Sequence, residues 1–163
     1  MISREDGSGT RGAFIELFGI EEKNDAGEKI DNTTDTAEIT NSTAVMMTTV
    51  AGNDNAIGYV SLGSLNDSVK ALSIDGVEAS AENIKNGTYA VARPFNIATG
   101  KEVSEVTKDF INFILSEDGQ AVVEENGYIS QGNTGAFKST EAEGKIVVAG
   151  SSSVTPVMEK LKE

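Results

Sequence analysis

The sequence predicts an α/β fold: a mixed β-sheet flanked by helices. Three observations predict it. Short apolar runs of strand length alternate with amphipathic segments of helix length, as in Ala56–Leu62 against Glu102–Leu115. Glycine, asparagine and serine clusters punctuate nearly every change of pattern. The chain has 163 residues, 38% hydrophobic and 24% charged, enough for one domain with a real core or one domain plus part of another.

Taken in order, Ser3-Arg4-Glu5-Asp6-Gly7-Ser8-Gly9-Thr10 leads into a helix over residues 8–18, with Phe14, Leu17 and Phe18 on one face and Gly19 as its stop. Residues 21–38 are polar and acidic around an Asn24–Gly27 turn signal, and predict an exposed excursion. Asn41 and Ser42 read as caps of a second helix, whose Val45, Met46, Thr49 and Val50 share a face before Gly52. Met46 and Met47 read as core packing.

Residues 56–62 and 69–74 predict strands, the second turning at Asp75-Gly76 into 77–79. A short helix follows at 80–86. A strand at 89–98 carries Arg93-Pro94, so it belongs at an edge or a bend. Arg93 reads as an ion-pair residue. Residues 102–115 form an amphipathic helix through Val103, Val106, Phe110, Phe113 and Ile114, and 117–125 form another. Residues 131–144 lack periodicity and read as a linker. The pattern then restarts with a strand at 145–150, a serine turn at 151–153, and a helix start whose Pro156 suits a first turn.

Charge and composition narrow the chemistry. The formal net charge is −13, which argues against nucleic acid or an anionic membrane surface as partner. It does not argue against a small anion held by short-range donors, because remote charge is screened. Cysteine and histidine are absent. Thiolate chemistry, histidine-dependent triads and histidine metal ligation are therefore excluded, and no catalytic residue is assigned. The acidic stretch at 21–38 lacks calcium-loop spacing, so no metal and no cofactor is expected. No apolar run reaches membrane-spanning length and no signal-peptide pattern is present. The chain reads as a piece of a longer protein whose targeting segment lies elsewhere.

The opening motif has two readings. It can be an oxyanion cradle, in which glycines let backbone N–H groups close on a ligand, Ser8 and Thr10 add hydroxyls, and Arg4 adds a planar cation. It can equally be a glycine-rich loop feeding a capped helix, with Arg4 paired on the surface. A P-loop is excluded because the Gly-Lys-Ser/Thr ending is missing, and a nucleophile elbow because Gly-x-Ser-x-Gly is not matched. Asp6 either forms a surface pair or holds the Arg4 guanidinium toward a ligand. Ser151–Ser153 reads as N-capping or as a second set of ligand hydroxyls.

These residues resemble a known family. Arg4-Glu5-Asp6-Gly7-Ser8-Gly9-Thr10 resembles the phosphate loop of PstS-type receptors, the extracytoplasmic solute-binding proteins of phosphate ABC importers. Residues 56–60 and 110–120 resemble later parts of the same family. The resemblance implies a lobe of the type II periplasmic-binding-protein fold, with phosphate held by Arg4, Ser8, Gly9 and Thr10 and with Asp6 orienting Arg4. Lys145–Pro156 resembles the first strand and loop of a mature receptor, which implicates Ser152 and Ser153. The order departs from the family: that segment follows the arginine loop here, so the chain is either circularly permuted or straddles two tandem units.

The resulting expectation is a receptor lobe at 1–130, a linker at 131–144, and the first strand and helix of a receptor unit at 145–163. The resemblance implies a cell-surface lipoprotein or periplasmic protein that works with ABC permease subunits and is not an enzyme. Exchange of 145–163 between copies is a further expectation. The competing reading is a surface or assembly module that reuses the lobe for protein contacts.

Overall fold

Strand β1 (Ile2–Arg4) is short and fully buried, and it pairs in parallel with β4 (Glu38–Thr40), placing Arg4 opposite Thr40. The computed structural model describes residues 1–130 and 132–162. Gln131, the first residue of the expected linker, and Glu163 lie outside them.

After β1 the chain turns through Asp6 and Gly7 into α1 (Gly9–Leu17). The buried residues of α1 are Thr10 and Ile15, while Leu17 and Phe18 are exposed. Of the expected face, Phe14 is half-buried and stacks on Tyr59. Strands β2 (Glu21–Lys23) and β3 (Lys29–Asp31) make an antiparallel hairpin out of the acidic excursion. Its turn is tied by Asn24 Oδ1, which accepts from the N–H groups of Ala26 (3.0 Å) and Glu28 (2.9 Å). Helix α2 (Thr43–Ala51) follows, with the Ser42 hydroxyl accepting from the Val45 N–H at 3.4 Å. Met46 and Met47 are buried, and Val45 is exposed.

Among the described residues the sheets are smaller than expected: one parallel pair and one antiparallel pair. Residues 56–62 were expected as a strand, and among the described residues they form none. The Ile57 carbonyl accepts from the Ile2 N–H at 2.8 Å, but the Tyr59 N–H turns to the Met46 sulfur at 3.3 Å. A ladder needs successive backbone pairs, and here it stops after one. The expected turn at Asp75-Gly76 is present, with φ of 51° and 80° and reciprocal bonds between Ile74 and Val77 at 2.9 Å. The flanking strands reduce to that single bridge. Helix α3 (Ala81–Lys85) is capped by Ser80.

Helix α4 (Glu105–Leu115) starts at its Ser104 cap, and α5 (Glu117–Glu125) follows after one residue. That residue, Ser116, is 1% exposed and serves both helices. Its hydroxyl donates to the Phe113 carbonyl at 2.7 Å and accepts from the Gly119 N–H at 3.2 Å. A Cβ at Gly119 would collide with the Phe113 carbonyl, so the close junction requires glycine there.

Residues 132–144 are irregular but fastened. The Thr134 N–H donates to the Leu115 carbonyl (2.9 Å), the Phe137 N–H to Asp118 (3.0 Å), and the Thr140 N–H to Asp109 (2.9 Å). Phe137 packs edge-on against Phe113 with ring centroids 5.2 Å apart. The expected strands at 89–98 and 145–150 are also irregular, again because no neighbouring strand among the described residues pairs with them. Val147 is 83% exposed. Helix α6 (Thr155–Leu161) carries Pro156 in its first turn, as expected.

The chain divides into two units: residues 1–93 with 151–153, and residues 94–150 with 154–162 among those described. The first contains Ile2, Ile15, Met46 and Met47 as its buried apolar residues. The second has a core of Tyr128, Val157 and Leu161, against which Phe110, Phe113, Ile114 and Met158 pack. These boundaries differ from 130 and 144 because 132–144 is hydrogen-bonded to α4 and α5, while 151–153 folds with the opening loop.

Candidate functional site

The site is built around Arg4. A guanidinium that is 2% exposed needs its charge and its donors satisfied. Glu5 does most of this. Its two carboxylate oxygens take Arg4 Nε (2.9 Å) and Nη2 (3.1 Å) as a fork. The Thr40 carbonyl also accepts from Nε at 3.3 Å. Nη1 donates to the Thr43 hydroxyl and Nη2 to the Ser152 hydroxyl, both at 3.1 Å. Each of those hydroxyls accepts from Arg4 and so keeps its own proton to donate. The hydrogen bond from Arg4 holds the Glu5 carboxyl below its ordinary value of 4.5, with burial working against that.

The expected role of Asp6 is corrected here. Asp6 is 97% exposed, and its Oδ1 accepts from Arg11 Nη1 at 2.7 Å. The turn through Asp6 and Gly7 carries its side chain away from Arg4, while the longer Glu5 folds back onto it. Arg11 also donates to Asp31 (2.8 Å) and to the Arg4 carbonyl (3.0 Å), tying the loop to the β2–β3 hairpin.

Ser8 is the N-cap of α1, and its hydroxyl accepts from the Arg11 N–H at 3.3 Å. The N–H groups of Gly9 and Thr10 therefore stand at a helix start, where no intrahelical acceptor exists for them. A Cβ at Gly9 would lie 2.9 Å from Ser151 Oγ, so glycine here lets the serine turn close on the helix. The hydroxyls of Thr10 and Ser153 share a buried hydrogen bond. The Ser153 N–H donates to Ser151 Oγ at 3.2 Å, and the Ser61 hydroxyl reaches the Ser153 carbonyl at 3.5 Å.

The structure thus joins Arg4 to Ser152 and Thr10 to Ser153 across more than 140 residues of sequence, with Ser8 and Gly9 on the same loop as Arg4 and Thr10. Sequence reasoning missed Glu5, Thr40, Thr43 and Tyr59. The Tyr59 hydroxyl meets Ser3 Oγ (2.8 Å) and accepts from the Arg4 N–H (3.1 Å), while its ring stacks on Phe14 at 4.1 Å. Two adjacent carboxylates were visible beside Arg4, and only the turn geometry selects between them. Arg93 donates to the Gly9 carbonyl (2.9 Å) and to Glu16 (3.3 Å), which fits its reading as an ion-pair residue.

The arrangement suits a small tetrahedral oxyanion. It offers hydroxyls, helix-start N–H groups and one buried guanidinium. Arg4, Arg11 and Arg93 are each paired with a carboxylate, so hydrogen-bond donors rather than surplus positive charge would do the recognising.

The PBP superfamily domain matches residues 1–118. The phosphate-binding protein PstS 2 of Streptococcus agalactiae is 64% identical over 165 aligned residues, covering 100% of this chain and 56% of that protein. The segment order is therefore shared with that relative, 145–163 included. The chain spans little more than half of the relative's length.

A crystal structure of the phosphate-binding protein of a Streptococcus pneumoniae phosphate ABC transporter is 52% identical, with a TM-score of 0.80 over 99% of this chain and 63% of that one. A Clostridium perfringens protein assigned as a phosphate ABC transporter substrate-binding protein, solved with bound phosphate, is 42% identical. Its TM-score is 0.67 over 79% of this chain and 50% of that one. With its α/β architecture and its match over more than two thirds of its length, the chain belongs to the PBP superfamily.

Proposed function

We propose that this chain carries the phosphate-binding lobe of an extracytoplasmic solute receptor that serves a phosphate ABC importer. The observation that carries the reading is the docking of the serine turn on the opening loop, where Ser152 meets buried Arg4 and Ser153 meets Thr10 at the start of α1. The names of the relatives, one of them solved with bound phosphate, supply the ligand. Phosphate oxygens would replace the hydroxyl-to-hydroxyl and hydroxyl-to-arginine bonds seen at the site, each with a donor already in place. Nothing in this scheme breaks a covalent bond, so the reading is capture rather than catalysis.

Binding by the chain alone is expected to be weak, because it spans 56% of its relative's length and further donors would come from the remainder. Permease contacts and any lipid anchor belong to the same proposal for the longer protein. No described helix is long and apolar enough to cross a membrane.

The test is a titration of the ¹⁵N-labelled chain with inorganic phosphate at fixed ionic strength. The Gly9 and Thr10 amides should shift and saturate. Thr10→Val, which removes a hydroxyl at nearly constant volume, should weaken binding about tenfold. Amide signals that stay in place at phosphate concentrations up to about 50 mM overturn the reading.

A further inference from the structure

The Arg4–Glu5 fork has a consequence for how tightly the site holds its ligand. Glu5 covers the Nε and Nη2 edge of the guanidinium with both oxygens. The remaining donors point to the hydroxyls of Thr43 and Ser152, which carry no charge. An anion can therefore reach Arg4 from the hydroxyl side without evicting Glu5, and it then sits close to a carboxylate. Neither of the other arginines offsets that repulsion: Arg11 is committed to Asp6 and Asp31, and Arg93 to Glu16.

We propose that Glu5 is a built-in counter-anion that sets the phosphate affinity of this site, holding Arg4 in its plane while keeping affinity below what the donors alone would give. The inference rests on the phosphate reading above. Two effects compete when the Glu5 charge is removed. Loss of the fork frees the guanidinium, which weakens binding. Loss of a negative charge within a few ångströms of a phosphate strengthens it, and around a 2% exposed arginine that repulsion is poorly screened. Glu5 itself is 37% exposed, which moderates the gain without reversing it. The Thr40 carbonyl continues to hold the guanidinium in either case.

The sign of the effect separates this role from simple structural support. Glu5→Gln and Glu5→Ala, titrated with inorganic phosphate beside the parent chain, should bind about three- to thirtyfold more tightly. Thermal melts establish that both variants are folded. Equal or weaker binding by both variants, with the parent responding to phosphate, overturns the proposal and leaves the phosphate reading intact. If neither the parent nor the variants respond, the phosphate reading fails and takes this inference with it. Variants that do not fold show Glu5 to be a structural partner of Arg4, and that also overturns the proposal.

Discussion

The two units of this chain each fasten a carboxylate by hydrogen bonds, yet they use it in opposite ways. In the first unit Glu5 answers a buried charge, and the surroundings are polar: Ser3, Arg4, Thr10, Thr40 and Ser153 are all buried. In the second unit Asp109 accepts only from neutral donors, the Ser139 hydroxyl and the Thr140 N–H, both at 2.9 Å. Beside it are Phe110 and Phe113, which pack against the Tyr128–Val157–Leu161 core. Dense buried polarity is costly, and a fully satisfied network of it rigidifies the place it occupies. The Asp109 clasp fastens a loop to a helix and offers no comparable set of donors.

The largest expected effect is at the helix junction of the second unit. Gly119→Ala forces a methyl group against the carbonyls of Phe113 and Ile114, both backbone atoms with little room to yield. The expected loss is about 2–4 kcal/mol, read from the denaturation midpoint. Hydrogen exchange adds the comparison between units. Amides of α4 and α5 should lose protection while those of β1 and α1 keep theirs. Equal loss in both places would mean that the two units unfold as one.

Acid should separate the two carboxylates next. Both are held below their ordinary values of 4.5 and 3.8, Glu5 chiefly by the Arg4 side chain and Asp109 chiefly by the Thr140 N–H. A carboxylate depressed in the folded state stabilises it fully above the unfolded value, and that contribution disappears as pH falls through the folded value. Stability should therefore hold from neutrality to about pH 5 and decline below it. Asp109→Asn should flatten this acid limb when it is followed at α4, and leave it unchanged when followed at α1. An acid limb unaltered at α4 would remove Asp109 from the account.

Much of this was legible in the sequence, and the failures share a cause. The six α-helices among the described residues were placed to within a few residues, because caps such as Ser8, Ser104 and Ser116 and stops such as Gly19 and Gly52 are local signals. Strands were not. Ala56–Leu62 and Lys145–Gly150 have strand composition, but a strand exists only through a partner, and composition does not name one. The short strands β1 and β4 escaped notice for the converse reason: three residues carry too little periodicity to register. At the site the residue types were readable and the pairing was not. Arg4 does meet Ser152 and Thr10 does meet Ser153, while the choice of Glu5 over Asp6 depends on which way one turn points.

That choice yields the smallest and most discriminating prediction. Asp6 is almost wholly exposed, and Arg11 keeps Asp31 and the Arg4 carbonyl without it. Asp6→Asn should therefore change stability by less than about 0.5 kcal/mol, as exposed pairs generally do. It should also leave phosphate affinity at the parent value, since the Arg4 fork does not involve it. Calorimetric melts and the same phosphate titration measure both quantities. A loss of affinity in Asp6→Asn would mean that Asp6 swings onto Arg4 when ligand arrives, as the family resemblance implies. The free and bound states would then hold the same arginine with different carboxylates, and Glu5 would be a resting partner exchanged on binding.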